Sequence, residues 1–251
     1  MGLYPAARAT VDAVGHVLPG ARRARRRMLA LYSGFVRPGD VCFDVGANVG
    51  NRTEMLLALG ARVVAVEPQS SCVQKLQQRF GGNPQVVVVP SALGREPGEA
   101  DLLVSSAHTI SSMSSEWVGR VSETGRFGSH TWGETVTVPL TTLDALIAEH
   151  GTPSFCKIDV EGYEAEVLSG LSRPLPVLSF EFTPEAIEGA LACLQRLGEL
   201  GPAVFNYSLG DTGAFALEEW VDGAAMAEEV AGLRDSSTFG DIYARAAVRD
   251  P

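Results

Sequence analysis

Two acidic residues in the first part of the chain occupy positions where side chains can meet a ligand. Asp44 lies in Val41–Val45, an apolar run typical of a buried strand, and Gly46 starts the turn that follows. Glu67 ends the next apolar run, just before Pro68. A strand, a glycine turn and a helix form a ligand crevice at the carboxyl end of a parallel strand. An acid at the end of the second strand suits a ribose, because a carboxylate can accept hydrogens from both hydroxyl groups.

The turn narrows the choice of nucleoside. It lacks the G-x-G-x-x-G pattern of dinucleotide-binding proteins, and Asp44 would repel a pyrophosphate at close range. A cationic nucleoside without phosphates fits better, and S-adenosylmethionine is such a molecule. We expect Asn48 to cap the helix or to reach the methionine portion, with Gly50, Asn51 and Thr53 completing the cofactor-binding set. The alternative is a strand-to-helix turn that binds no ligand.

A second group of acids could act on the molecule that would accept the methyl group of S-adenosylmethionine. Asp159 and Glu161 alternate with apolar residues at the end of the predicted strand Ser154–Val160, so they share a face with Lys157. Glu181 ends the next predicted strand and faces the same crevice. Such carboxylates can offset a sulfonium charge, orient an acceptor hydroxyl or accept its proton, and closely spaced acids raise one pKa. The alternatives are that Asp159 only binds the cofactor's amino group and that Lys157 only pairs with Asp159 or Glu181.

A metal and a histidine are the remaining catalytic candidates. Asp159 and Glu181 could bind magnesium, which prefers carboxylate oxygens and water, but no adjacent acid pair follows the strand that ends at Glu181. We therefore expect no metal. His108 and His130 lie in a polar segment near the expected site and are candidate bases, and the alternative is that both are surface residues.

The quoted residues resemble the FkbM family of S-adenosylmethionine-dependent methyltransferases. Three segments carry the resemblance in order: DVGANVGNRT at 44–53, Glu67-Pro68, and KIDVEGYE at 157–164. The likeness runs from about Val36 to Ala246. It implies methyl transfer, mostly to oxygen atoms of small molecules such as sugars, glycolipids or polyketide-derived products. It also implies that the adenine lies along Ser91, Ala92 and Leu93.

The order of predicted elements indicates an α/β fold. Strands and helices alternate from residue 41 onward, which predicts a doubly wound, mostly parallel seven-stranded sheet, Rossmann-like as in class I methyltransferases. The last two strands are expected to close the sheet as an antiparallel pair. We expect an N-terminal helical extension at 1–35, outside a methyltransferase domain at 36–251. Residues 95–135 are rich in Ser, Gly and Thr and are expected to form an acceptor-facing lid, in which Trp117 and Trp132 could stack on a sugar.

Composition limits the partners. The net charge of −10 disfavours nucleic acid, and the expected partner is a small hydroxylated acceptor, with a homo-oligomer compatible with the sequence. No apolar run approaches the roughly 20 residues that span a bilayer, and no signal peptide is recognisable, so we expect a cytoplasmic enzyme with reduced core cysteines. Five arginines crowd residues 22–27. They indicate either an arm that docks on an anionic surface or on the substrate, or a solvated helix face on a lid or a dimer contact.

Three other functions stay open at this point. An N- or C-methyltransferase would have the same cofactor site, because nothing in the sequence fixes the acceptor atom. A nicotinamide-dependent oxidoreductase is disfavoured by the glycine pattern and by Asp44. A non-catalytic cofactor-binding protein is disfavoured by the acids at Asp159, Glu161 and Glu181.

Overall fold

The computed structural model describes residues 19–234 and 238–247. Ten strands run through these residues in chain order: β1 (Val41–Val45), β2 (Arg62–Val66), β3 (Val86–Val89), β4 (Ala92–Leu93), β5 (Gly98–Ser105), β6 (Trp132–Thr141), β7 (Phe155–Ile158), β8 (Val177–Phe182), β9 (Ala203–Leu209) and β10 (Gly240–Ala246). Eight α-helices are described: α1 (Pro19–Tyr32), α2 (Asn51–Ala58), α3 (Ser70–Phe80), α4 (Ser115–Thr124), α5 (Leu143–His150), α6 (Glu164–Ser169), α7 (Ile187–Leu200) and α8 (Gly223–Gly232).

Seven strands form one sheet in the order β3-β2-β1-β7-β8-β10-β9. All neighbours from β3 to β8 pair in parallel, whereas β10 is antiparallel to both β8 and β9. The strand order turns back between β1 and β7, which is the place where doubly wound sheets have their ligand crevice, at the carboxyl ends of the parallel strands. This arrangement confirms the predicted doubly wound fold and its closing antiparallel pair.

Side chains alternate between the two faces of this sheet because successive residues of a strand point to opposite sides. Phe43 and Val45 of β1 join the larger core cluster, which helices α5 to α8 cover. Cys42 joins the smaller cluster on the other face, together with Phe155 of β7 and Leu56 of α2. Asp44 lies on that second face, which is therefore the more polar one at its carboxyl edge.

Helix α1 packs on the second face, contrary to the expectation that the N-terminal extension lies outside the main fold. Met28 and Tyr32 are four residues apart, so they share one side of the helix, and both are buried in the smaller cluster. The ring centroids of Tyr32 and Phe155 are 5.2 Å apart. Residues 1–18 lie outside the described residues. The exposed side of α1 carries arginines, and Arg25 forms an ion pair with Glu54 of α2 at 3.1 Å.

The insertion is more regular than its composition suggests. Strands β5 and β6 pair over most of their length and, with β4, form a separate three-stranded sheet. Helix α4 lies in a stretch for which no helix was expected. It forms because Trp117 and Val121, four residues apart, bury one side of it in a small cluster with Ile110. Ser114 caps it by accepting a hydrogen bond from the N–H of Trp117.

Candidate active site

Gly46 allows two strands to meet at the crevice. Its φ is +80°, a conformation that side chains disfavour, and a Cβ atom there would overlap the carbonyl oxygen of Asp159. The main chain that leaves β1 and the main chain that leaves β7 therefore touch at this glycine. This contact within the protein requires a glycine at position 46 whether or not a ligand binds.

The amide groups of the turn are hydrogen-bonded within the protein. The N–H groups of Gly46 and Ala47 both donate to the carbonyl of Val66, at 2.9 and 3.0 Å. The N–H of Asn48 donates to Glu67 Oε2 at 2.8 Å, and the N–H of Val49 donates to Asn48 Oδ1 at 2.8 Å. The turn is therefore hydrogen-bonded to the end of β2, and these bonds fix the shape of this edge of the crevice.

Asp44 is buried at the floor of the crevice. It accepts a hydrogen bond of 2.6 Å from the hydroxyl of Thr53, which is the contact that brings these two predicted residues together. Burial raises the pKa of Asp44, and the bond from Thr53 and the charge of Lys157 oppose that rise. The carboxylate is thus held in one orientation beneath the turn.

Glu67 lies at the carboxyl end of β2 and is aimed at the turn. Its two oxygens accept backbone N–H bonds from Asn48 and Gln69, both at 2.8 Å. Burial raises the pKa of Glu67 to about 7, and those two bonds work against the rise. Each carboxylate oxygen has a second lone pair, so Glu67 keeps the capacity to accept two hydroxyl hydrogens. Pro68 follows it half-buried.

Other predicted cofactor residues lie further from the crevice floor. Gly50 packs against the ring of Phe80 in α3, and Asn51 Oδ1 lies 3.4 Å from a guanidinium nitrogen of Arg79. The hydroxyl of Ser91 donates to the carbonyl of Pro139 at 2.8 Å. Ala92 and Leu93 bury their side chains in two hydrophobic clusters, so only the main chain of this segment could meet an adenine.

The second group of acids converges at the ends of β7 and β8. Asp159, Glu161 and Glu181 each offer a carboxylate oxygen within 4.8 Å of the others. Such a group could hold a divalent cation, but a buried cation is already present, since the Lys157 ammonium lies 3.4 Å from Asp159 Oδ2. Burial lowers the pKa of Lys157, but Asp159, Asp241 and Glu181 outweigh burial, and the pKa is raised. Lys157 is therefore charged and partly neutralises the acids.

Glu161 has a constrained backbone. Its φ is +54°, which is uncommon for a residue with a side chain. Its carbonyl accepts a hydrogen bond of 2.6 Å from the hydroxyl of Ser112 in the insertion. The insertion thus holds the segment that carries this acid.

His108 lies over the turn, in a short 3-10 helix from His108 to Ile110. Its carbonyl oxygen, a main-chain atom, accepts a bond of 2.9 Å from Asn48 Nδ2. His130 lies further out, with Nδ1 3.1 Å from the hydroxyl of Ser106 on the protein surface. The insertion therefore contacts the Gly46 turn directly, through the carbonyl of His108.

The expectation that tryptophans of the insertion stack on a sugar is wrong for Trp117. Its ring is 2% exposed, and its indole N–H donates to the hydroxyl of Thr183 at 3.3 Å. A Cβ atom on Gly162 would lie 2.5 Å from this ring, so Trp117 fills the space that Gly162 leaves. Trp132 is half-buried, and its indole N–H donates to the carbonyl of Ile110 at 2.8 Å. Helix α4 is consequently a fixed wall of the site.

The family of the protein follows from the match between these segments and a known domain. The family model described as "Methyltransferase FkbM domain" matches residues 44–216, which is more than half of the chain. The chain belongs to this family. The FkbM domain so defined contains the glycine turn, Glu67, the acids of β7 and β8, and the insertion.

Two relatives match parts of this FkbM chain. The hexuronic acid methyltransferase AglP of Haloferax volcanii is 27% identical over 143 residues, which are 56% of this chain and 54% of that protein. A ribosomal RNA small subunit methyltransferase of Arabidopsis thaliana is 43% identical over 49 residues, 20% of this chain and 14% of that protein. The chain thus spans about half the length of the first relative and less of the second.

Solved structures with a similar course of the chain include two methyltransferases. The precorrin-6y C5,15-methyltransferase of Geobacter metallireducens has a TM-score of 0.49 at 10% identity, with 94% of each chain covered. A SAM-dependent O-methyltransferase of Thermotoga maritima has a TM-score of 0.42 at 11% identity, covering 96% of this chain and 70% of that one.

Two acids near the site of this FkbM protein were missed from the sequence. Asp241 in β10 lies 2.9 Å from the Lys157 ammonium, closer than Asp159 does. Glu164 is buried at the start of α6, and one of its oxygens accepts the N–H groups of Val160 and Gly162, at 3.1 and 3.3 Å. Burial raises the pKa of Glu164 to about 7. The KIDVEGYE segment contains Glu164 and could have indicated it, whereas no local pattern marks Asp241.

Proposed function

We propose that this protein is an S-adenosylmethionine-dependent methyltransferase that methylates a hydroxyl group of a small molecule. The observation that carries the proposal is the arrangement of acids around one crevice. Asp44, Gly46, Asn48 and Glu67, which we call the cofactor side, lie at the ends of β1 and β2. Asp159, Glu161 and Glu181, which we call the acceptor side, lie across the same opening at the ends of β7 and β8.

The chemistry of the cofactor side fits a sulfonium nucleoside. Glu67 is oriented by two backbone N–H groups and retains lone pairs for the two ribose hydroxyls. Both sides are rich in carboxylates, and an excess of negative charge favours a cation over a phosphorylated ligand. The main chain of Ser91 to Leu93 would line the adenine, with Gly50, Asn51, Thr53 and Pro68 supporting the walls. When bound, S-adenosylmethionine supplies an electrophilic methyl group.

The acceptor side would orient the hydroxyl and take its proton. Asp159 is the candidate base because it lies next to the main chain of Gly46, where the two sides meet. Glu161 and Glu181 would position the acceptor, and His108 is the next candidate base. Lys157 would keep the group of acids from accumulating uncompensated charge. No metal is required for these roles.

A sugar is the acceptor class that we favour. The relative from Haloferax volcanii is named for hexuronic acid, a molecule with several hydroxyls and a carboxylate. Hydroxyl groups need several hydrogen-bond partners, and the three acids of the acceptor side would accept hydrogens from them. RNA is disfavoured by the net charge of −10, although another relative acts on ribosomal RNA.

We further propose that residues 36–251 are the methyltransferase domain and that residues 95–135 face the acceptor. We also propose that the enzyme works in the cytoplasm. A homo-oligomer is compatible with this account. Among the described residues, no helix combines the length and the apolar character needed to cross a membrane.

The acceptor can be tested with methyl-labelled S-adenosylmethionine and a matched panel. The panel contains a glucuronic acid glycoside, the corresponding neutral glycoside, the corresponding amino-sugar glycoside and ribosomal RNA. We expect label on the hydroxylated sugars, in an ether that resists mild base. Label that is released by mild base would indicate a methyl ester on the carboxylate. Label only on the amino sugar or on RNA would contradict the proposal, and heat-denatured protein serves as the inactive control.

A further inference from the structure

The outer side of α1 carries a row of arginines that the proposed methyl transfer does not use. One arginine of this helix is paired, since Arg25 forms an ion pair with Glu54 at 3.1 Å. Four others are exposed, and within residues 19–234 and 238–247 none of the four forms an ion pair. We call these four residues the arginine face: Arg22, Arg23, Arg26 and Arg27.

The arginine face is a fixed part of the surface of the domain. Residues four apart lie one helical turn apart, so the pairs 22/26 and 23/27 share the side of α1 that is turned away from the buried Met28 and Tyr32. The loop after β9 also contacts the helix, because a Cβ atom on Gly213 would lie 2.6 Å from the main chain of Arg27. Helix α1 contains no acidic residue. The four positive charges are therefore presented together, without compensation from their own helix.

The position of α1 places the arginine face beside the crevice. Glu54, which Arg25 contacts, is in the first turn of α2. Helix α2 begins at Asn51, directly after the turn that Gly46 starts at the carboxyl end of β1. The arginine-containing half of α1 therefore lies at the carboxyl edge of the sheet. A partner bound to the arginine face would lie next to the opening of the proposed active site.

We propose that the arginine face docks this protein on the surface of a membrane that contains anionic lipids. A guanidinium can bond a phosphate through two N–H groups, and each basic residue near an anionic bilayer strengthens binding about fivefold. A bilayer presents its charge as a plane, which an exposed row of side chains can meet without a pocket. The chain as a whole carries a charge of −10, so such a membrane repels the rest of its surface. The charge distribution thus selects one orientation on the bilayer, and this inference does not depend on the proposed function.

Two other anionic partners fit the arginine face less well. Single-stranded RNA is bound by basic residues together with aromatic rings on which the bases stack. Among the described residues, the large apolar side chains that are exposed are Val87 and Val136, and neither is aromatic. A second copy of this chain carries the same charge of −10, so two copies repel each other. Neither difficulty applies to a bilayer.

Sedimentation with lipid vesicles tests the proposal directly. The full-length protein is mixed with vesicles of equal parts phosphatidylglycerol and phosphatidylcholine, and separately with vesicles of phosphatidylcholine alone. We expect binding to the anionic vesicles only, and we expect it to weaken as salt is added because salt screens exposed charges. Equal binding to both kinds of vesicle, or no binding to either at low salt, would overturn the proposal.

A matched pair of variants separates the arginine face from net charge. Arg22→Gln with Arg26→Gln should lower the partition coefficient on anionic vesicles about thirtyfold, fivefold for each guanidinium removed. Arg62→Gln with Arg173→Gln is the control, because both residues are exposed and precede or begin parallel strands at the opposite edge of the sheet. The control should bind within about twofold of the wild type, since a bilayer at the crevice edge is beyond the screening length.

Two results with these variants would refute the docking role. Equal losses in both variants would show that net charge alone governs binding. Unchanged vesicle binding of the Arg22→Gln/Arg26→Gln variant, with loss of RNA binding or of an oligomer measured by light scattering, would assign the arginine face to one of those partners instead.

Discussion

The cofactor side and the acceptor side lie across one crevice but are built differently. The cofactor side comes from one stretch of chain, residues 44–69, and its groups are bonded to one another within that stretch, for example by the bonds from Asn48 and Gln69 to Glu67. The acceptor side draws on distant segments: Lys157 in β7 with Asp159 just after it, Asp241 in β10 and Ser112 in the insertion. The difference suggests that the cofactor site is fixed locally, whereas the acceptor site depends on how the whole domain packs.

The largest expected effect is a loss of stability, caused by a substitution at the point where the two sides touch. Gly46→Ala places a Cβ atom on the carbonyl of Asp159, and we expect it to destabilise the protein by about 4 kcal/mol or more. Gly39→Ala is the matched control, because Gly39 has a similar φ of +89° and open space around it. That control should cost only about 1–2 kcal/mol of backbone strain. Urea unfolding measures both, and equal costs would mean that the contact between the two sides is unimportant.

The second-largest expected effect is a pH-dependent change in stability, caused by a buried acid behind the acceptor side. Burial raises the pKa of Glu164 to about 7 from an ordinary value of 4.5, so the folded protein retains a proton that the unfolded chain releases. Its contribution to stability therefore falls as the pH rises from 4.5 to 7. Glu164→Gln keeps the acceptor for Val160 and Gly162 and has no proton to lose. We expect the variant to be more stable than the wild type by about 3 kcal/mol at pH 8, with no difference near pH 4.5.

Unfolding of both proteins in urea across this pH range measures the difference. A gap that stays constant with pH would show that Glu164 does not retain a raised pKa. A variant less stable than the wild type at pH 8 would show that the carboxylate form is needed by the fold.

The acceptor side can then be separated from the cofactor side by turnover. Asp159→Asn should reduce turnover by more than about a hundredfold, the usual scale for a general base. The affinity for S-adenosylhomocysteine should change little, because Asp159 lies across the crevice from Glu67. Methyl transfer and calorimetry on the same preparation measure the two quantities. Near-normal turnover would move the base to another residue, and His108→Ala would be examined first.

The smallest effect tests how the insertion supports the acceptor side. Ser112→Ala removes the hydrogen bond that holds the carbonyl of Glu161, worth about 1 kcal/mol. We expect turnover to fall severalfold with an unchanged affinity for S-adenosylhomocysteine. Ser122→Ala is the control, since its hydroxyl bonds within the exposed side of α4. If Ser112→Ala weakens S-adenosylhomocysteine instead, the insertion belongs to the cofactor side.

The same contrast explains what the sequence could predict. The strand at Val41–Val45 and the turn at Gly46 depend on local pattern, and they were predicted where they occur. The cap of α5 is another local feature, because the Thr142 hydroxyl accepts a hydrogen bond from the N–H of Ala145, three residues away. Helix α4 was missed because its Ser- and Gly-containing stretch has little helix propensity, and burial of Trp117 stabilises it.

The partner of Lys157 could not be predicted for a similar reason. Asp241 meets Lys157 only because β10 enters the sheet antiparallel beside β8, and that register is a property of the assembled sheet. The bonds that close the Gly46 turn also depend on the neighbouring strand, since their acceptor is Val66 of β2. Met28 and Tyr32 are four residues apart in the sequence, and this spacing would have indicated that α1 packs on the domain.

The central claim is that Glu67 holds the ribose of the cofactor, and calorimetry of S-adenosylhomocysteine binding tests it most directly. Glu67→Gln removes the charge, and we expect the affinity to fall about tenfold or more at pH 8, where the wild-type carboxylate is ionised. Glu164→Gln is the control, because it makes the same change at a buried acid with a similar pKa and should bind like the wild type. An affinity of Glu67→Gln within about twofold of the wild type, in a folded protein, would contradict the account.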